Sequence, residues 1–165
     1  MQKIDTEKIV ETMKKLVADK ATLKQIRGIS NEELEAVYSL AFSFYNTGRF
    51  EEASKLFQFL VLFDHLNQKF WIGLGATQQA LKNYQDAVTS YGYASFLKLD
   101  NPKPQYHAAE CFLALGDKRN AASSIYALEA YAPANSPYRE KAAKIREMIG
   151  EEAFAELAKE DEKKA

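Results

Sequence analysis

Apolar residues recur along most of this chain three and four positions apart, the spacing of helices that turn one face inward. From Asp5 to Lys20 the stripe is Ile9, Met13, Leu16 and Val17, which predicts an amphipathic helix in need of a cover. Further along, the pattern predicts helix pairs at 31–47 and 50–65, at 68–81 and 84–99, and at 102–115 and 118–131. Ser30 followed by Glu33 is a capping box opening the first pair. Asn101 before Pro102 supplies an N-cap and a first-turn proline for the third. Ser136-Pro137 starts another helix through Ile145, Met148 and Ile149. The tail from Glu151 to Ala165 holds six acids and three lysines and is expected to be a solvated, fraying helix end.

The pairs repeat. Ala53, Ala87 and Ala121 stand 34 residues apart, and four residues after each come Phe57, Tyr91 and Ile125. Twelve residues before each come the small Ala41, Gly75 and Ala109, and five before each the turn positions Gly48, Lys82 and Gly116. Phe50 and Tyr84 precede the first two alanines by three, Trp71-x-x-Leu74-Gly75 opens the middle unit, and Pro133 ends the third. This period and these residue types resemble the tetratricopeptide pattern. Small residues let the two helices of a hairpin approach, and aromatics fill the space that remains. A unit this small cannot bury its own apolar face, so successive units must stack. The expected fold is all-α: three tetratricopeptide-type hairpins in a right-handed superhelix, flanked by an N-terminal and a C-terminal helix. One domain spans 1–165, with an N-terminal helical segment at 1–30, repeats at 34–67, 68–101 and 102–135, and a C-terminal helix with its charged tail at 136–165.

In such a stack the first helix of each pair lines a concave surface. Counting from Leu34 as position one, the inward places give Tyr38, Phe42 and Tyr45 in the first repeat, Ile72, Ala76 and Gln79 in the second, and Tyr106, Glu110 and Leu113 in the third. Tyrosine offers broad contact area with a hydroxyl handle and few torsions to freeze, which suits peptide recognition. The bland alternative is that some of these aromatics are core, covered by the N-terminal segment. A clamp for a partner's C-terminal carboxylate needs Lys, Asn and Arg at set positions. Those positions hold Tyr38, Phe42, Tyr106 and His107, and only Lys69 and Lys103 bring charge.

Composition narrows the function. Twenty-three acids against 22 bases give a net charge of −1, unlike the basic excess of nucleic-acid binders. Cys111 is the only cysteine, so no disulfide forms within the chain. The opening Met-Gln-Lys-Ile-Asp-Thr-Glu-Lys lacks the pattern of a secretion signal, and the longest purely apolar run, Phe59 to Phe63, is too short to cross a bilayer. A cytoplasmic protein is expected. No phosphate loop, nucleophile elbow or adequate metal-ligand set is present, so neither an enzyme nor a cofactor or metal is expected. His107 and Cys111 stand four apart on one helix, but two ligands fall short of the three or four that zinc requires, and they are read as packing or groove residues.

Four stretches go beyond the repeat scaffold: Tyr38-Ser-Leu-Ala-Phe42 with Tyr45 and Gly48; Phe63-Asp-His65; Gly73-Leu-Gly75-Ala76; and His107-Ala-Ala-Glu-Cys111. Through them residues 10–135 resemble the class II chaperones of bacterial type III secretion, the low-calcium-response protein H type. The resemblance implies a chaperone that keeps hydrophobic translocator proteins soluble and secretion-competent before they reach a host membrane. It implies that an extended segment near a translocator's N-terminus, of the form Pro-x-Leu-x-x-Pro, lies in the groove, with pockets from Tyr38, Phe42, Tyr45, Ile72 and Ala76. It also implies homodimers through the N-terminal helical region, making Ile9, Met13, Leu16 and Val17 a candidate interface, and in some members an association with regulators of secretion genes. A tetratricopeptide adaptor in another bacterial assembly is the alternative reading.

Overall fold

The computed structural model describes residues 22–162. The candidate interface residues Ile9, Met13, Leu16 and Val17 lie outside the described residues. Thr22 caps a short helix α1 (Leu23–Arg27), closed by Gly28. Lys24 Nζ, 2.7 Å from Asp64 Oδ2, pins α1 to the far end of the first hairpin in a largely buried ion pair.

Three hairpins follow: α2 (Asn31–Asn46) with α3 (Phe50–Phe63), α4 (Gln68–Ala80) with α5 (Tyr84–Leu97), and α6 (Pro102–Ala114) with α7 (Lys118–Tyr131). The ends follow local chemistry. Ser30 accepts from Glu33 N while Glu33 reaches back to Ser30 N, closing the expected capping box. Asn67 and Asn101 cap α4 and α6 alike, each accepting from the amide two residues on. Among the described residues there is no helix long and apolar enough to cross a membrane.

The period is visible in the packing. Ala53, Ala87 and Ala121 are fully buried, as are Tyr91 and Ile125, with Phe57 nearly so. From α2 onward each helix packs on the next in sequence, α1 packs on α3, and α2, α4 and α6 also touch in series. The core therefore runs as linked clusters, each shared by neighbouring units, as a stacked array requires.

The three hairpin turns are copies of one another. Arg49, Asn83 and Asp117 donate their amides to the carbonyls of Phe44, Gln78 and Phe112 at 2.8, 2.8 and 2.9 Å. This closure needs a left-handed residue, and Gly48, Lys82 and Gly116 have φ of 77°, 62° and 76°. Lys82 therefore carries a Cβ where its counterparts have none, a conformation costing about 1–2 kcal/mol for an L-residue. Lys82→Gly should raise stability by about 1 kcal/mol, because relief of the strain exceeds the entropy that glycine adds to the unfolded chain. A melting curve unmoved or lowered would contradict it.

The C-terminal part departs from expectation. Helix α8 (Pro137–Ile149) forms as predicted, capped by Ser136, and Arg139 donates to the carbonyls of Glu129, Ala132 and Pro133, satisfying the end of α7. Gly150, with φ 93°, then stops it, and the chain turns back as a separate helix α9 (Glu151–Glu162) against α7. The expected solvated helix end is thus corrected over its first turns. Phe154 is 3% exposed within the last core cluster, and the Arg146 guanidinium lies 3.9 Å above its ring. Phe154, with Ala153 and Leu157 packed beside it on the same cluster, docks the helix by apolar burial.

Candidate functional site

A cavity of about 500 Å³ opens on the face made by α2, α4 and α6. Its first wall is aromatic. The rings of Tyr38 and Phe42, one helical turn apart on α2, lie nearly parallel with centroids 6.2 Å apart. Tyr38 meets Phe57 edge-on and Phe70 at a tilt, both at 5.9 Å, so its ring is held from behind. Phe42 is 49% exposed and presents its ring to solvent.

The floor comes from α4, where Gly73, Ala76 and Ala80 are small enough to leave depth beside Ile72. Gly73 admits the Phe57 ring, since a Cβ there would lie 2.1 Å from Phe57 Cε1. A mid-helix glycine costs helix propensity and here gains a large aromatic in the floor.

The far wall is polar and internally satisfied. Tyr91 donates to Gln79 Oε1 at 2.9 Å, and Gln79 Nε2 donates to Glu110 Oε2 at 3.3 Å. His107 Nδ1 lies 2.8 Å from the same carboxylate oxygen, and its ring stacks on Tyr91 at 5.6 Å. Burial pushes Tyr91 upward, so it stays a protonated donor. For Glu110, burial alone would raise the carboxyl, but hydrogen bonds from His107, Gln79 and Tyr106 outweigh it and hold the group below its ordinary value of 4.5. A depressed carboxyl adds stability at pH above that ordinary value and loses it as pH falls through the folded value. Acidification from pH 6 towards 3 should therefore lower the melting temperature more steeply in the native protein than in Glu110→Gln. Parallel pH profiles would contradict this.

Seven of the nine positions counted into the groove line this cavity: Tyr38, Phe42, Tyr45, Ile72, Ala76, Gln79 and Glu110. Tyr106 and Leu113 do not, and the count needs correcting there. Both pack against the C-terminal core cluster, with Tyr106 5.4 Å from the ring of Tyr138 on α8. The added helix covers the end of α6 that a further repeat would otherwise extend into groove. Burial and Glu110 push the Tyr106 phenol up to about 12. The cavity adds Phe57 and Tyr91, which the repeat assigns to the scaffold, and Gly73, which the sequence marks only as part of the stretch Gly73-Leu-Gly75-Ala76 and not as a groove position. Lys69 and Lys103 stand at its rim.

The His107–Cys111 pair is not a metal site. Cys111 is fully buried and its thiol pushed up to about 12, while His107 is turned to Glu110. No group of three or more metal-ligating side chains occurs among the described residues.

A family model described as tetratricopeptide repeat matches residues 34–67 and 69–101. The chain is 32% identical over 145 residues to low calcium response locus protein H of Yersinia pestis, covering 88% of this chain and 86% of the relative. Among solved structures, the Yersinia enterocolitica type III secretion chaperone SycD in complex with a peptide of the translocator YopD aligns with a TM-score of 0.69 at 37% identity. That alignment covers 73% of this chain and 95% of SycD. PcrH with the chaperone binding region of PopD aligns with a TM-score of 0.67 at 37% identity, over 79% of this chain and 97% of PcrH. PcrH is a protein of Pseudomonas aeruginosa.

Proposed function

Because the chain belongs to the low calcium response locus protein H family of type III secretion chaperones, we propose that its concave cavity holds an extended segment of a hydrophobic translocator. As a member of that family it is a binding scaffold, not an enzyme. The observation carrying the reading is the cavity itself: an aromatic wall at Tyr38 and Phe42 over a floor of small residues, open to solvent. That shape takes spaced apolar side chains from a strand-like peptide, whereas its polar groups are mostly paired with one another. The segment lies near the partner's N-terminus and has the form Pro-x-Leu-x-x-Pro, with leucine entering between the aromatic wall and Ile72. Proline pre-orders the ligand in an extended form and lowers the entropy lost on binding.

The cellular logic follows from solubility. Segments meant for a host membrane would aggregate or insert early if left bare in the cytoplasm, and holding one end in a groove keeps the partner competent for export.

Fluorescence anisotropy with two labelled peptides tests this. One carries Pro-x-Leu-x-x-Pro, and the other ends in an acidic C-terminal motif of the kind tetratricopeptide clamps hold. Saturable micromolar binding of the first alone supports the chaperone reading. Binding of the second alone would favour a general tetratricopeptide adaptor.

A further inference from the structure

The cavity rim carries charge in a pattern the peptide reading does not use. Glu35, Lys69 and Lys103 stand 34 residues apart, at one repeat position near the starts of α2, α4 and α6. They form a row along one edge. Lys69 is engaged by the Glu35 carboxylate and by the Tyr38 and Phe70 rings, 4.5 and 5.6 Å from its ammonium. Lys103 is exposed, and its ammonium has no acceptor among the described residues. Glu110, the cavity's own acid, already takes hydrogen bonds from His107 and Gln79. It stands seven residues further along α6 than Lys103, about 10 Å along the axis. Among the described residues Lys103 is thus the rim's one unneutralised cation, about two helical turns from the paired acid.

We infer that Lys103 reads a side-chain carboxylate on the bound segment, so the groove prefers an extended apolar peptide carrying one aspartate or glutamate on the α6 side. The inference rests on the groove reading above and adds a specificity element to it. A side chain is the source, because a clamp on a terminal carboxylate needs further Lys, Asn or Arg donors, and Tyr38 and Phe42 stand at such positions. The contact is exposed, so it sorts among ligands that share the apolar anchors and contributes little to their bulk affinity.

The test uses the full chain and C-terminally amidated Pro-x-Leu-x-x-Pro peptides, with one glutamate or its glutamine twin placed at each variable position in turn. At low salt one glutamate position should bind about fivefold tighter than its twin, a margin that shrinks as salt rises. Lys103→Gln should bring the twins level, and Lys103→Glu should make the glutamine peptide the better ligand. Both variants should keep native helicity, since the side chain is exposed. Twins that bind the native protein equally overturn the inference and leave the groove reading standing. A preference that survives Lys103→Gln also overturns it, placing the carboxylate elsewhere. Failure of every peptide to bind sinks both.

Discussion

Replacing Tyr91 with alanine should cost about 3–5 kcal/mol of stability, the range for emptying a large buried aromatic site. For a chain of this size that is a fall of roughly 10 °C or more in melting temperature. The side chain is fully buried at the centre of the second repeat, among Ala87, Val88, Ala108 and Cys111, so collapse around the void would have to move two helix pairs. Its hydroxyl also anchors Gln79, and through it the Glu110 carboxylate. Tyr91→Phe separates the two roles. Keeping the ring and losing one hydrogen bond should cost about 1 kcal/mol. Equal losses in both variants, measured by thermal or urea unfolding, would show that the ring does not hold the second and third repeats together.

The second large effect is on binding. Phe42→Ala should weaken the affinity for a Pro-x-Leu-x-x-Pro peptide by about 2–3 kcal/mol, the loss expected when an aromatic anchor at the centre of a contact is truncated. Stability should scarcely change, because half of the ring already faces solvent. Tyr38→Ala should weaken binding at least as much and cost stability as well. Its ring rests on Phe57 and Phe70 and beneath the Lys69 ammonium, so removing it unsettles the floor. The pair of variants separates contact from support. Unchanged affinity in Phe42→Ala, with the helices intact, would remove the aromatic wall from the binding site.

Much of the fold is legible in the sequence because its local and global requirements coincide. The 34-residue spacing places Ala53, Ala87 and Ala121 where helices touch, and the same spacing places the three left-handed turns. Lys82 shows how strongly the register governs, since a lysine takes the glycine conformation there. The aromatic wall is legible for the same reason, being a fixed offset within a repeat. The groove's end is not. Counting repeats carries Tyr106 and Leu113 into a surface that α8 covers, and Tyr138, the residue that does the covering, belongs to no repeat. Nor does charge density reveal that Phe154 anchors α9, because a few apolar side chains, Phe154 with Ala153 and Leu157, dock a helix whose average character is polar. Gly73 stands out in the sequence within Gly73-Leu-Gly75-Ala76, but its role does not, because that is set by Phe57, sixteen residues away on the neighbouring helix.

The most direct measurement is a nitrogen-15 NMR titration of the full chain with an unlabelled Pro-x-Leu-x-x-Pro peptide. Saturable shifts should centre on the amides of Tyr38, Phe42, Ile72, Gly73 and Ala76, fading towards Leu113 and the α8–α9 region. Shifts centred instead on exposed apolar residues outside the cavity, such as Leu62, Tyr93 and Phe96, would contradict the assignment of binding to the concave face.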